Sequence, residues 1–221
     1  MRAANVLIDA DADGAAAAQI VRHLLDAVAQ RGRASVAISR GDALVAALAA
    51  ADVPWPNVGV WQVDERVAPD GDPERNATEL AGFPAEVHLM PVTAPDLDRA
   101  AADYARGLPD RFDVVHLGMG PDGHTASWTP GDPVIESSAP VDLSREYQGR
   151  VRMTLTPPVI EAARARVVLI TGGAKAAMVA RWLHGDADLP IARVPETGTV
   201  VVLDPDAAAD LEPRSSGSAG W

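Results

Sequence analysis

Residues 114–127 read VVHLGMGPDGHTAS, a short apolar run followed at once by a glycine-rich polar segment. The run 114–117 has the length and composition of a buried strand. The three glycines after it let the backbone approach a ligand closely and adopt positive φ angles. The stretch therefore predicts a strand with a binding loop at its carboxyl end, as in open α/β sheets.

Apolar runs and segments with helical spacing alternate on both sides of this stretch. Apolar runs at 5–9, 35–39, 58–63, 167–171 and 199–203 predict further strands. Most are continuous rather than alternating, which is typical of a parallel sheet covered on both faces. Helical spacing occupies 15–31, 42–51, 96–108, 157–163 and 175–184, with Asp42 and Asp96 at N-cap positions. The fold class predicted is α/β: a single doubly wound, mainly parallel sheet with helices on both faces, Rossmann-like.

One domain is predicted. The interior of the 221-residue chain has no Ser-, Gly- or Pro-rich linker and no repeat of fixed period. We assign residues 1–211 to a single domain. Residues 212–221, rich in Ser and Gly, are predicted to form a flexible tail.

The composition disfavours two classes of binding partner, nucleic acids and membranes. The net charge of −12 disfavours nucleic acid, whose phosphates require clustered Lys and Arg. No apolar run approaches the roughly 20 residues that cross a bilayer, so no membrane partner is expected. The chain has no cysteine, and its start lacks the basic-then-apolar layout of a signal peptide. We therefore expect a cytoplasmic location.

The net charge also constrains how an anionic small molecule would bind. An acidic protein repels it at long range, so binding requires a local cationic pocket. Of the 19 basic residues, Lys175 is the one lysine. That makes Lys175 a candidate for a specific role, with an ordinary surface lysine as the alternative.

The glycine-rich stretch carries the strongest candidate for catalysis. His124 is predicted to begin a helix, where the helix dipole disfavours the imidazolium and keeps the ring available as a base. Asp122, two residues earlier, is placed to hold the ring tautomer or a water. The alternative is a glycine-rich turn with a capping Asp and an incidental His.

Two other segments follow predicted strands. Asp64, Glu65 and Arg66 come directly after 58–63, and the planar guanidinium of Arg66 suits a phosphate or carboxylate. The alternative there is a solvated charged loop. Residues 171–176 read TGGAKA, in which helix-terminal amides and Lys175 could bind phosphate. The alternative there is an ordinary strand–helix turn.

Together these segments resemble the 6-phosphogluconolactonase family, which shares its fold with glucosamine-6-phosphate deaminases. The resemblance spans roughly residues 5–211 and has the family's motifs in order and spacing. Those motifs are Asp64-Glu65-Arg66 with Asn76, the run 118–127 with Pro130-Gly131, the run 152–156 (RMTLT), and Gly172-x-x-Lys175-Ala176.

The resemblance implies hydrolysis of 6-phospho-D-glucono-1,5-lactone to 6-phosphogluconate, in the oxidative branch of the pentose phosphate pathway. By this resemblance His124 is the general base and Asp122 its neighbour, while Arg66 and Lys175 contact the substrate or its phosphate. Asp64, Gly120 and Arg152 are further substrate-binding candidates.

No cofactor and no metal are expected. A lactone is an activated ester, and a histidine-activated water suffices to open it. The five histidines show no paired ligand spacing. His116 falls within the predicted strand 114–117, where we expect a hydrogen-bonded core histidine.

One segment departs from the family pattern. After the early strand the family usually has Ser-Gly-Gly-Ser-Thr, which holds the phosphate, whereas this chain reads SRGDA at 39–43. Ser39, Arg40 and Gly41 stay substrate-binding candidates, with Arg40 as a possible substitute for the missing hydroxyls. Asp42 beside a phosphate would be repulsive, so either this loop does not bind the phosphate or the chain binds a phosphorylated substrate more weakly.

Three alternative functions remain open from the sequence. An amino-sugar-phosphate deaminase or isomerase would continue the histidine loop into Asn-Glu-Pro, but this loop continues into SWTPG at 127–131. A non-catalytic sugar-phosphate-binding protein would explain the altered 39–43 segment. A dinucleotide-binding oxidoreductase would need a third, helix-packing glycine that is missing here. The sequence predicts no oligomeric state.

Overall fold

The computed structural model describes residues 5–211, in which strands and helices alternate. The strands are β1 (Asn5–Ile8), β2 (Ala34–Ile38), β3 (Val58–Gln62), β4 (Asp64–Arg66), β5 (Glu86–His88), β6 (Val114–Leu117), β7 (Val141–Leu143), β8 (Arg152–Leu155), β9 (Ala165–Ile170) and β10 (Thr199–Leu203). The helices are α1 (Ala12–Arg31), α2 (Asp42–Ala49), α3 (Leu97–Arg106), α4 (Pro157–Ala162) and α5 (Ala176–Leu183). The predicted tail at 212–221 lies outside the described residues.

Seven strands form one parallel sheet in the order β1-β10-β9-β6-β2-β3-β5. All six predicted strands belong to it, which confirms the α/β fold class. From β2 the chain continues to β3, toward one edge of the sheet. From β6 it continues to β9, toward the other edge. The order therefore reverses between β2 and β6, and such a reversal opens a crevice at the carboxyl ends of the strands.

The core has two parts, one on each face of the sheet. Val36 and Ile38 of β2 pack with α1 and α2, whereas Ala37 between them joins the core on the opposite face. Successive strand side chains point to opposite faces, so a strand covered on both sides must be apolar throughout. This is why the strands read as continuous apolar runs.

A smaller antiparallel sheet, in the order β4-β8-β7, lies beyond the end of β3. The sequence did not predict it, because β4 consists of Asp64, Glu65 and Arg66, which resemble a charged loop. Its register places Arg66 opposite Arg152 and Asp64 opposite Thr154. The sheet thereby brings Arg66 and Arg152, from distant parts of the chain, to one edge of the main sheet.

The helix starts confirm one predicted cap and correct another. Asp96 caps α3, because its side chain accepts a hydrogen bond from the Arg99 amide at 3.0 Å. The prediction for Asp42 is wrong: Gly41 is the N-cap of α2 and Asp42 is its first helical residue. An acidic residue is favoured there by the helix dipole without capping.

Among residues 5–211 no helix has both the length and the apolarity to span a bilayer.

Candidate active site

A cavity of about 350 Å³ opens at the carboxyl ends of the main-sheet strands. Nine of the ten predicted site residues line it: Ser39, Arg40, Gly41, Asp64, Arg66, Gly120, His124, Arg152 and Lys175. Asp122 lies behind His124. A larger cavity of about 470 Å³ opens at the opposite, amino ends of the strands, and none of the predicted residues lines it. The chemistry-bearing side chains therefore share the smaller cavity.

His124 and Asp122 form a dyad. The His124 Nδ1 lies 2.5 Å from an Asp122 oxygen, and the Tyr147 hydroxyl donates to the other oxygen at 3.0 Å. Burial raises the pKa of Asp122, but the hydrogen bonds and charge of His124, with the Tyr147 hydroxyl, outweigh it and hold the pKa below its usual range. An ionised Asp122 accepts the Nδ1 proton, which directs Nε2 toward the cavity as the atom that can exchange a proton.

The loop around this dyad differs from the predicted helix start. Residues 125–128 form a turn closed by a bridge between Thr125 and Trp128, so His124 does not stand at the start of a helix. Gly120 is required because a Cβ there would lie 2.1 Å from the imidazole Cε1. Gly123 adopts a φ of 83°. The amides of Gly120 and Gly123 both donate within the loop, so neither is free to bind an oxyanion.

Asp64 connects three loops at the floor of the site. It is buried and accepts a hydrogen bond from the Ser127 hydroxyl at 2.6 Å. The Asn76 amide nitrogen lies 3.4 Å from its other oxygen, and the Ser39 hydroxyl lies 3.5 Å from the same oxygen. Asp64 therefore positions its neighbours as well as lining the cavity.

Arg66 and Arg152 stand directly opposite each other across the β4–β8 pair. Like charges at such a position repel, and an anion between them relieves the repulsion. Burial lowers the pKa of Arg152, the charge of Asp64 raises it, and the charge of Arg66 lowers it again. In each guanidinium the Nε is buried without a hydrogen-bond partner among residues 5–211. This pair is the strongest electrostatic indication of an anionic ligand.

Glu65, between these site residues, has a structural role. Its side chain is fully buried and ion-paired with Arg75 at 3.1 Å. It also accepts hydrogen bonds from the Gln62 side chain and from the backbone amides of Arg66, Asn76 and Ala77. A buried carboxylate needs such a set of donors to offset its desolvation. The result is a fixed loop that presents Asn76 to Asp64 and Arg66.

Arg40 does line the cavity, but its charge is already paired. Its Nε lies 2.8 Å from one oxygen of Glu79, and the Gly41 amide donates to the other at 2.7 Å. The Glu79 carboxylate thus occupies the anion-binding position at the start of α2. Asp42 does not line the cavity. The sequence predicted that Asp42 would repel a bound phosphate. In the structure it is instead the Glu79 carboxylate that would compete with a phosphate for this position.

Lys175 ends a short 3₁₀ turn, Gly173–Lys175, and is the N-cap of α5. Burial lowers the pKa of its ammonium group, while the charge of Asp204 raises it. Asp204 also accepts the Gly172 amide at 2.9 Å, which fixes the turn after β9. Four cations and two carboxylates therefore line the cavity: Arg40, Arg66, Arg152 and Lys175 against Asp13 and Asp64.

Several residues at the site were missed from the sequence. Tyr147 and Glu79 carried no recognisable signal, because each acts through a partner distant in sequence. Asn76 and Ser127 were noted only as parts of motifs. His116 was expected to be hydrogen-bonded in the core. It is buried together with both ring nitrogens, and burial lowers its pKa to about 4, against a weaker, opposite hydrogen-bond contribution from the Ser39 backbone.

The chain is similar to known proteins along most of its length. Residues 9–202 match the family described as glucosamine-6-phosphate isomerases/6-phosphogluconolactonase. A 6-phosphogluconolactonase of Streptomyces coelicolor is 35% identical, over 91% of this chain and 90% of its own. A 6-phosphogluconolactonase of Mycobacterium tuberculosis is 34% identical, over 89% and 93%.

Among solved structures, a crystal structure of a devB protein superposes with a TM-score of 0.82 at 27% identity, covering 94% of this chain and 99% of the other. Both the fold and the sequence motifs therefore agree with one family. The chain belongs to the 6-phosphogluconolactonase family, within the larger group that also contains the glucosamine-6-phosphate isomerases.

Proposed function

We propose that this protein hydrolyses 6-phospho-D-glucono-1,5-lactone to 6-phosphogluconate, the lactone-opening step of the oxidative pentose phosphate pathway. The observation that carries the proposal is one cavity that holds both the His124–Asp122 dyad and the cations Arg66, Arg152 and Lys175. The dyad supplies a base, and the cations supply positive charge for the oxyanion and for the phosphate of the substrate.

The reaction follows from this arrangement. Nε2 of His124 takes a proton from water as the water oxygen attacks the lactone carbonyl carbon. The bond from that carbon to the ring oxygen then breaks, and the imidazolium returns the proton to the departing oxygen. A base of this kind contributes roughly 10²–10⁴-fold. Asp122 fixes the ring tautomer and stabilises the imidazolium.

The oxyanion and the phosphate both require cations. Because the Gly120 and Gly123 amides are used within their loop, the guanidinium groups of Arg66 and Arg152 are the better candidates for the developing oxyanion. Lys175 binds the phosphate, which carries about −1.5 to −2 charges near neutral pH. The phosphate then acts as a remote handle that orients the ring.

The test is a rapid assay of 6-phosphogluconolactone disappearance, with the unphosphorylated lactone and glucosamine 6-phosphate as parallel substrates. Preferred turnover of the phosphorylated lactone supports the proposal. Turnover of the amino sugar would assign the chain to the deaminase or isomerase branch. Binding without turnover would make it a sugar-phosphate-binding protein. The cytoplasmic location and the absence of a nucleic-acid partner stay predictions of the sequence.

A further inference from the structure

Tyr147 lies beside the active site, at the tip of the hairpin that joins β7 to β8. The two central residues of the turn, Gln148 and Gly149, have positive φ angles of 53° and 78°, as tight hairpin turns of type I′ require. Backbone hydrogen bonds of 2.9 and 3.2 Å join Tyr147 and Arg150 across the turn. The Arg150 guanidinium also pairs with Asp72 at 2.9 Å. The hairpin tip is therefore held at both ends, which fixes the direction of the Tyr147 side chain.

The side chain of Tyr147 contacts three residues of the site. Its hydroxyl donates to Asp122 at 3.0 Å. Its ring packs edge to face with the His124 imidazole, and the two ring centroids lie 5.6 Å apart. The central carbon of the Arg152 guanidinium lies 5.2 Å from the centroid of the same ring, within the range of a cation–π interaction. One side chain thereby joins the proposed base to a cation proposed for the oxyanion.

The two oxygens of Asp122 are divided between two donors. One oxygen accepts from Nδ1 of His124 and the other from the Tyr147 hydroxyl. Burial, with the hydrogen bond and charge of Asp122, raises the pKa of Tyr147 against the opposing charge of Arg152, so the hydroxyl keeps its proton near neutral pH. A carboxylate held at both oxygens is less free to turn about its Cβ–Cγ bond. The imidazole that it orients therefore stays aligned with the cavity.

We propose that Tyr147 is a positioning residue for lactone hydrolysis, which fixes the Asp122 carboxylate and through it the orientation of the His124 base. Tyr147 does not line the cavity, so it acts through the dyad rather than by binding the substrate. The proposal rests on the proposed lactonase function and adds a residue to the catalytic arrangement of that same site.

The experiment compares Tyr147→Phe with the wild type on the phosphorylated and unphosphorylated lactones. The substitution removes the hydroxyl and leaves the ring against His124 and Arg152. The kcat is expected to fall about 3- to 10-fold on both substrates with KM changed less than about 2-fold, because the lost hydrogen bond orients the base and does not contact the substrate. Tyr147 is partly exposed, so the Tm is expected to stay within about 4 °C of the wild type.

A double-mutant cycle with Asp122→Ala separates positioning from a general effect on folding. Without the carboxylate the Tyr147 hydroxyl has nothing to hold, so adding Tyr147→Phe to Asp122→Ala is expected to lower kcat no further. Glu146→Gln is the matched control. Glu146 is exposed and precedes Tyr147 on the same hairpin, and its substitution is expected to leave kcat and KM unchanged.

An unchanged kcat in Tyr147→Phe would overturn the proposal. A loss of the same size in the Asp122→Ala background would also overturn it, since the hydroxyl would then act independently of the carboxylate. A rise in KM confined to the phosphorylated lactone would do so too, because it would place the hydroxyl on the phosphate. Failure of the wild type to turn over either lactone would instead reject the proposed function, which keeps the two outcomes distinguishable.

Discussion

At the scale of single residues, the site depends on a few side chains, each held by a specific partner. His124 is held by Asp122, and Asp122 in turn by Tyr147. Lys175 is half-buried near one carboxylate, Asp204. These contacts place the proposed base in one part of the cavity and the proposed phosphate-binding cation in another, so each role can be tested by substituting one residue.

His124→Ala is expected to lower kcat by at least about 10²-fold, because the general base is lost. The Tm is expected to stay near that of the wild type, since the ring is partly exposed and occupies the edge of the cavity. Steady-state kinetics on the phosphorylated lactone, with thermal unfolding as the control for folding, provide the measurement. Turnover near the wild-type rate would remove His124 from the mechanism.

Lys175→Ala is expected to lower kcat/KM for the phosphorylated lactone far more than for the unphosphorylated one. A charged hydrogen bond typically contributes about 1.5–3 kcal/mol, or roughly 10- to 150-fold in kcat/KM. The ratio of kcat/KM values for the two lactones is the measurement. An equal reduction on both substrates would show that Lys175 acts in folding or in the chemical step.

The lowered pKa of Lys175 predicts a pH dependence of phosphate binding. Because its folded-state pKa lies below the ordinary lysine value, the ammonium loses its proton at a lower pH than an exposed lysine does. The affinity for 6-phosphogluconate is therefore expected to fall on the alkaline side before pH reaches about 10.4. Calorimetric titration of this product, compared with gluconate, measures the effect. Lys175→Met is expected to abolish the pH-dependent difference; its persistence in that variant would assign it to another group.

At the scale of elements, the segment from β2 into α2 shows how a loop can keep its position and change its chemistry. The start of α2 directs the Gly41 amide outward, as a phosphate-binding helix start would. Glu79 fills that position and also pairs with Arg40. Burial, together with the hydrogen bond and charge of Asp42, raises the pKa of Glu79, against the Gly41 amide and Arg40, which lower it. An internal carboxylate thus competes with any ligand phosphate for this loop.

Glu79→Gln is expected to lower KM for the phosphorylated lactone, because it removes the competing charge and frees Arg40. Since Arg40 is 46% exposed, the gain is expected to be modest, about 1.5- to 5-fold, in line with about 0.2–1 kcal/mol for an exposed ion pair. Arg40→Gly is the matched variant and is expected to cancel the gain when combined with Glu79→Gln. If neither substitution alters KM, Arg40 is a surface residue without a part in binding.

At the scale of the whole molecule, an acidic protein concentrates cations at one edge of its sheet. The net charge is −12, yet four cations and two carboxylates line the cavity. Two of the cations come from the small antiparallel sheet, one from the loop after β2 and one from the turn after β9. The doubly wound topology brings these separate segments together at the point where the strand order reverses.

Hydrolysis is expected to proceed without a metal ion. A lactone is an activated ester that a histidine base can open with water alone. The chain also has no cysteine, and its histidines show no paired spacing typical of metal ligands. Within residues 5–211 no three His, Asp or Glu side chains are grouped as metal ligands. Exhaustive chelation should leave kcat and KM unchanged. A loss of activity that a divalent ion restores would refute the expectation.

The sequence by itself determined six of the seven strands of the main sheet, the five helices to within a few residues and the loops that carry the site. These features depend on local patterns: continuous apolar runs, helical spacing and glycines at turns. His124, Asp122 and Lys175 could be selected because they lie in short segments directly after strands, where open parallel sheets bind their ligands. No information from distant parts of the chain was needed for these predictions.

The tertiary structure alone decided which distant side chains meet. It placed Arg66 opposite Arg152, Tyr147 on Asp122 and Glu79 on Arg40, pairs that lie 25 to 86 residues apart in the sequence. Such contacts follow from strand register and loop packing, which join segments with no common local pattern. The charge of an individual residue can be read from the sequence, but whether that charge is available to a substrate depends on the partner that the fold provides.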